Sequence, residues 1–188
     1  IKIKKNFAMM TYYPTTLNPD KDIKIVDNII EVLKKRKIFT IISGSNIDSN
    51  SLDINKFIKM KIHKHKNFIF INSLGAKNYL SLMKQTSFLI GNSSSGIIEA
   101  PICFKPSITV GDRQKNRERT KLVFESDGSI KSINACILKA LKKTNKIYSP
   151  YYKANSIDLC IKNLLKIKLP HNLVKNFYNL KWSILKEF

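Results

Sequence analysis

Apolar residues along this chain follow two rhythms. Phe7–Thr11, Ile38–Ile42, Phe68–Ile71, Ser87–Ile90 and Ser107–Val110 are compact apolar runs bounded by Gly, Asn, Ser or Pro. Strands buried on both faces read this way, because neither face needs polar residues. The segments between them carry helical period. Asp22–Arg36 places Ile23, Val26, Ile30 and Leu33 on one stripe, with Asp20 positioned as a cap. Leu52–Lys61 and Lys77–Gln85 read as further helices, and a strand at Leu122–Phe124 precedes helices near Ser129–Lys143 and Asn155–Lys166. Strand starts recur about every 20–30 residues, the length of a βα unit. The pattern predicts an α/β fold, a doubly wound parallel sheet of Rossmann-like type. Pro150 and Pro170 punctuate the end, and Val174–Phe188 is aromatic-rich, with Phe177, Tyr178, Trp182 and Phe188. Such a tail is expected to dock on something.

A chain of 188 residues, 43% hydrophobic, has the material for one well-buried domain and is not compositionally disordered. No apolar run approaches the roughly 20 residues of a membrane-spanning helix. The basic start, Ile1-Lys2-Ile3-Lys4-Lys5-Asn6, lacks the apolar stretch of a secretory signal. With no initiator Met, the chain is expected to begin inside a longer reading frame. Cys103, Cys136 and Cys160 are odd in number and form no CxxC pair, which fits a reducing cytoplasm better than a disulfide framework.

The net charge of +21 raises the question of nucleic acid. Only four of the 34 basic residues are arginine, and Lys, Ile and Asn are all in excess, as an AT-rich coding sequence would impose. The lysines are dispersed, and neither Arg forks nor interleaved aromatics accompany them. A solvated basic surface is therefore expected rather than a nucleic-acid partner. The arginines are different: Arg113, Arg117 and Arg119 fall within seven residues of each other. In a lysine-rich chain that cluster needs a reason.

In an open parallel sheet, ligands bind at the carboxyl ends of the strands. The loop after Ser87–Ile90 reads Gly91-Asn92-Ser93-Ser94-Ser95-Gly96-Ile97-Ile98-Glu99-Ala100. Hydroxyl residues between two glycines at a strand-to-helix junction can cradle a phosphate with free N–H groups and the positive helix end. A serine that merely caps the next helix is the competing reading, and the loop alone does not separate them. Glu99 favours the first. A capping box would need a cap three residues earlier, and position 96 is Gly. Glu99 can instead accept two hydrogen bonds from a diol, as acidic residues do with ribose. The next loop, Gly111 to Arg119, brings the arginines to the same edge, where bidentate phosphate recognition suits them better than an idle basic loop.

GNSSSGIIEAP followed by GDRQKNRERT resembles the signature of the hydrolysing UDP-N-acetylglucosamine 2-epimerases, most closely the sialic-acid-pathway branch. Tyr13-Pro14-Thr15-Thr16, Ser45-Asn46-Ile47-Asp48, Ser73-Leu74-Gly75 with Tyr79-Leu80, and Asn176-Phe177-Tyr178-Asn179 extend the likeness. The resemblance implies two facing Rossmann-like domains in the glycosyltransferase-B architecture, of which this chain is the C-terminal, nucleotide-binding half. Residues 1–169 would form that domain and 170–188 a crossover tail, the N-terminal domain being absent. It also implies that Ser93 and Ser94 contact the diphosphate, that Glu99 holds the ribose hydroxyls, and that Arg113 sits by the phosphates. Asn46 would line the same cleft, and the backbone near Ser73 would meet the uracil. The implied reaction eliminates UDP from UDP-N-acetylglucosamine and hydrates the glycal to N-acetylmannosamine, with no cofactor, metal or redox group, in a cytoplasmic and homo-oligomeric full enzyme.

Two positions depart from the family. Tyr13 stands where the family has His before Pro. A neutral phenol, with a pKa of about 10, can donate a hydrogen bond but cannot be a neutral-pH base. Asn116 stands where the family has Gly in RQKGR, and Asn tolerates positive φ. His63 and His65 form an H-x-H pair with lysines around it and no carboxylate, which argues against a metal site. Cys103, with no His nearby in sequence, reads as a structural thiol. Two further readings stand beside the epimerase half: a related enzyme for a diacetamido-sugar nucleotide, and a non-catalytic basic binding module.

Overall fold

A computed structural model describes residues 6–15, 19–44, 51–142 and 149–168. Their elements run β1 (Phe7–Thr11), α1 (Pro19–Lys35), β2 (Phe39–Ser43), α2 (Ser51–Ile62), β3 (Phe68–Ile71), α3 (Gly75–Met83) and β4 (Phe88–Gly91). A 3-10 turn (Ser94–Gly96), α4 (Glu99–Ile102), β5 (Ser107–Val110), β6 (Val123–Ser126), α5 (Ile130–Ala140) and α6 (Ser156–Lys166) follow. The strands form one parallel sheet in the order β3-β2-β1-β4-β5-β6. This is the order of dinucleotide-binding sheets, with the winding of successive strands reversing between β1 and β4. The expected Rossmann-like doubly wound sheet is what the chain forms.

Strand parity divides the core. On β1, Ala8 and Met10 face α1, α2 and α5, packing with Val26, Ile29, Ile30, Leu33, Ile58 and Ile137. Phe7 and Met9 face the other way, toward Met83 of α3 and Ala100 of α4. Period-two side chains on a sheet covered on both faces leave no polar side, which explains the near-continuous apolar runs.

Several boundaries move for identifiable reasons. The first helix begins at Pro19, whose missing N–H costs nothing in a first turn, so Asp20 lies inside the helix rather than capping it. Its other end closes on Lys37, at φ +54°, with Ile38 N–H donating to Leu33 O over 3.0 Å. Ile38 is spent on that turn, so β2 starts at Phe39. Leu122, expected to open a strand, is fully buried but lies in a turn held by the Thr120 hydroxyl. The helix expected after the serine loop is replaced by a 3-10 turn and the four residues of α4.

By packing, the chain divides into Ile1–Tyr152 and Lys153–Phe188. The second unit contributes α6, an amphipathic helix with no buried residue. The expected boundary at 169/170 and the aromatic tail 170–188 lie outside the described residues. Among the described residues no helix is long and apolar enough to cross a membrane.

Candidate functional site

The reversal between β1 and β4 opens a cleft at the carboxyl edge of the sheet. It measures about 280 Å³ and is lined by Thr11 and Tyr13, Ser43 and Gly44, Ser73 to Ala76, Tyr79, Ser93 and Ser95. Four consecutive strand ends thus contribute to it. Their closeness depends on Gly91, whose φ is +142° and whose Cβ, if it had one, would lie 1.9 Å from the carbonyl oxygen of Thr11. Only glycine lets β4 pair with β1 there.

Asn92 joins the loops around the cleft. Its side chain accepts from Tyr13 N–H at 2.7 Å and donates to Tyr13 O at 2.7 Å. Its backbone carbonyl accepts from Gln114 Nε2 at 2.9 Å and from Arg113 Nη1 at 3.2 Å. The loops after β1, β4 and β5 are therefore tied through one residue, itself 1% exposed. Behind Tyr13, the buried carboxylate of Asp22 accepts from the Tyr12 hydroxyl at 2.8 Å and from Thr15 N–H and hydroxyl at 2.6 and 2.8 Å.

The expected site residues separate as follows. Ser93 caps the 3-10 turn, accepting from Ser95 N–H at 3.3 Å, and also lines the cleft. The capping reading is therefore realised, by a residue that also stands on the cleft wall. Ser94 does not line the cleft; its carbonyl accepts from Ile97 and Ile98 N–H. Ser95 lines it instead, 2.9 Å from Ser93 Oγ and 2.8 Å from the Tyr79 hydroxyl. Ser73 lines the opposite wall and accepts from Gly75 N–H. Asn46 lies outside the described residues.

Glu99 opens α4, and its Oε2 is buried with no hydrogen-bond partner among protein atoms. Glu99 is not among the residues that line the cleft. Arg113 places its guanidinium carbon 5.0 Å from the centre of the Tyr13 ring. The arginine cluster divides. Arg119 turns inward, pairing with Glu125 and donating to Gln114 O at 2.7 Å, and serves the loop. Arg117 is exposed, and Asn116 takes the positive φ, +66°, that the family's glycine would take.

Burial raises the Tyr13 phenol above its ordinary pKa; Tyr79 adds to the rise, while Arg113 and the Ser93 hydroxyl oppose it. Tyr13 is thus a neutral hydrogen-bond donor across the physiological range. Burial likewise raises the Cys103 thiol, which fits an inert structural cysteine. Among the described residues no three of His, Cys, Asp and Glu converge as metal ligands, and His65 packs its ring edge-on against Phe68. The linking roles of Asn92, Tyr79 and Gln114 were not legible from the sequence, because their partners lie on other βα units.

Fold and cleft together define a Rossmann-like α/β domain with hydroxyl side chains gathered at a topological switch point. The family described as UDP-N-acetylglucosamine 2-epimerase matches residues 2–165, and the chain belongs to that family. It is 41% identical over 132 residues to a GDP/UDP-N,N'-diacetylbacillosamine 2-epimerase (hydrolyzing) of Campylobacter jejuni, covering 68% of this chain and 34% of that protein. It is 30% identical over 187 residues to the polysialic acid biosynthesis protein P7 of Escherichia coli, covering 94% and 47%. The chain thus spans less than half the length of these relatives. In structure it is similar to the UDP-GlcNAc 2-epimerase of Methanocaldococcus jannaschii solved with UDP-GlcNAc and UDP. There the TM-score is 0.70 at 19% identity, over 86% of this chain and 45% of that one. A heptosyltransferase of Escherichia coli shares the fold more distantly, with a TM-score of 0.52 at 11% identity over 71% and 43%.

Proposed function

We propose that this chain is the C-terminal, nucleotide-holding half of a hydrolysing 2-epimerase acting on a UDP-sugar. Residues 1–169 bind the nucleotide, and 170–188 return to the other domain of the whole enzyme. The observation that carries the reading is the switch-point cleft, where Ser93, Ser95 and Tyr13 gather donors suited to a diphosphate, with the Arg113 guanidinium against the Tyr13 ring. Glu99, with an unpartnered buried oxygen, is assigned to the ribose hydroxyls. Ser94 is left a backbone role, Asn46 a place on the same cleft, and the backbone near Ser73 the uracil.

The reaction assigned to the whole enzyme removes the C2 proton of UDP-N-acetylglucosamine while the C1–O bond breaks and UDP departs. Water then adds across the glycal to give N-acetylmannosamine. This half stabilises the departing diphosphate, and Tyr13 contributes a neutral donor there rather than a base. The carboxylates that move protons at the sugar belong to the opposite domain. Cytoplasmic location is supported by three free thiols. Homo-oligomerisation of the full enzyme is assigned on family likeness alone.

A second reading changes the sugar. The Campylobacter relative, at 41% identity, carries a diacetamido-sugar name, and this supports a diacetamido-sugar nucleotide as the substrate of the whole enzyme. Calorimetry on the chain tests the nucleotide reading. UDP binds more tightly than inorganic phosphate or DNA oligomers; tighter DNA binding with a steep salt slope would favour a basic binding module instead. Glu99→Gln weakens UDP but not pyrophosphate, and Arg113→Ala weakens both, each by about 1–3 kcal/mol. Equal losses of UDP and pyrophosphate in Glu99→Gln would remove Glu99 from the ribose.

A further inference from the structure

Tyr79 is not among the residues that the nucleotide reading uses, yet its hydroxyl lies at the end of a connected series. It sits 2.8 Å from Ser95 Oγ and 3.5 Å from Thr11 Oγ1. Ser95 Oγ is in turn 2.9 Å from Ser93 Oγ, and Ser93 Oγ also accepts from Ser95 N–H. The sense in which these hydroxyls donate decides what the cleft offers. If Ser93 donates to Ser95, its proton points into the protein, and the proton left over in the series sits on Ser95 or Tyr79 instead. If Tyr79 donates to Ser95 and Ser95 to Ser93, then Ser93 receives two hydrogen bonds and its own proton is left for the cleft side, where the Tyr13 phenol lies beside it. A phenol is a stronger acid than an aliphatic alcohol, and so the better donor at the head of such a series. Hydrogen bonds arranged head to tail also polarise one another in the same direction.

We propose that Tyr79 is a positioning residue that sets the donor sense of Ser95 and Ser93, so that Ser93 presents its hydroxyl proton to an anionic diphosphate in the cleft. The proposal rests on the nucleotide reading and adds the residue that tunes the grip. It differs from a packing role for the ring, which Tyr79→Phe preserves.

The test is a double-mutant cycle read by calorimetry with UDP and with pyrophosphate. Tyr79→Phe weakens both ligands by the same factor, about 3- to 10-fold, the range of one neutral hydrogen bond. In a Ser93→Ala background the same change costs less than about twofold, because the hydroxyl it acts through is gone. A loss for UDP alone would make Tyr79 a contact of the nucleoside and overturn the proposal. Equal losses of Tyr79→Phe with and without Ser93 would overturn it too. No binding of UDP or pyrophosphate by the unaltered chain would overturn the nucleotide reading and this proposal together.

Discussion

Asn92 gives the sharpest test of how the cleft is held together. Asn92→Ala removes both side-chain bonds to Tyr13, each 2.7 Å long, and leaves a backbone N–H and C=O without partners. A hydrogen bond is worth about 0.5–1.5 kcal/mol net, and a buried orphan costs about 1–3 kcal/mol. Because Tyr13 is half-buried, water reaches part of the exposed backbone, and the expected loss is about 2–4 kcal/mol. Asn92→Asp is the informative companion. As a carboxylate it can still accept from Tyr13 N–H, but it opposes Tyr13 O with a second acceptor in a site 1% exposed. As a neutral acid it can donate to that carbonyl and restore both bonds. The folded state therefore favours the protonated form, raising this aspartate above about 3.9, its unfolded value. Above that pH the unfolded state binds fewer protons, so stability relative to the unaltered chain falls as pH rises. Urea unfolding at several pH values from 4 to 8 measures this through the midpoint at constant slope. Asn92→Asp should stay close to the parent near pH 4 and fall away toward neutrality, while the Asn92→Ala deficit stays level. A deficit below about 1 kcal/mol for alanine, or a pH-independent one for aspartate, would refute Asn92 as the tie between the loops.

Gly91→Ala should abolish soluble folded chain, since its Cβ would overlap the Thr11 carbonyl at 1.9 Å; a folded variant within about 1 kcal/mol of the parent would refute the close approach. Tyr12 is raised above 10.0 by burial and by its bond to Asp22, so the unfolded chain releases that proton first and stability should fall as pH climbs past 10. Tyr12→Phe should flatten that alkaline decline in urea midpoints, and an unchanged slope would locate the titration elsewhere. Because Tyr13 keeps its proton, UDP affinity should show no step attributable to that position between pH 6 and 8, whereas Tyr13→His should introduce one near 6.5.

The sheet was legible because parallel strands covered on both faces have only one pattern available to them, and Phe7–Thr11, Phe68–Ile71 and Ser107–Val110 begin and end as expected. The errors fall where a local turn competes for a residue, as Lys37 and Thr120 do for Ile38 and Leu122. The serine loop was legible as part of the sheet's carboxyl edge but not in its detail. A helix and a 3-10 turn present successive residues at different angles, so the choice of Ser95 over Ser94 follows from the turn type, which the sequence leaves open. Asn92 reads locally as an ordinary loop residue, and its partner Tyr13 is 79 positions away. The arginine cluster was legible as unusual, but its division is set by distant partners, Asn92 and the Tyr13 ring for Arg113 and Glu125 on β6 for Arg119.

The tyrosine at position 13 changes what this half can contribute. An imidazole there could exchange a proton near neutrality. A phenol whose pKa is raised by burial cannot, and the stacked Arg113 does not reverse that rise. The cleft then offers neutral hydroxyls and a guanidinium, all of which can donate to an anion. None of these is poised to take a proton from carbon at neutral pH. Under the proposed function such a set would stabilise charge developing on a departing diphosphate, the kind of fixed electrostatic support that needs no reorganisation during reaction. Under the proposed chemistry, the labour divides by position in the fold: leaving-group stabilisation at the switch point of this sheet, and proton transfer on the facing domain. A chain with this half alone should therefore bind UDP and leave the sugar nucleotide intact. Sustained release of UDP from UDP-N-acetylglucosamine by the purified chain would show that proton transfer resides here after all, and would return Tyr13 to the catalytic role that its pKa argues against.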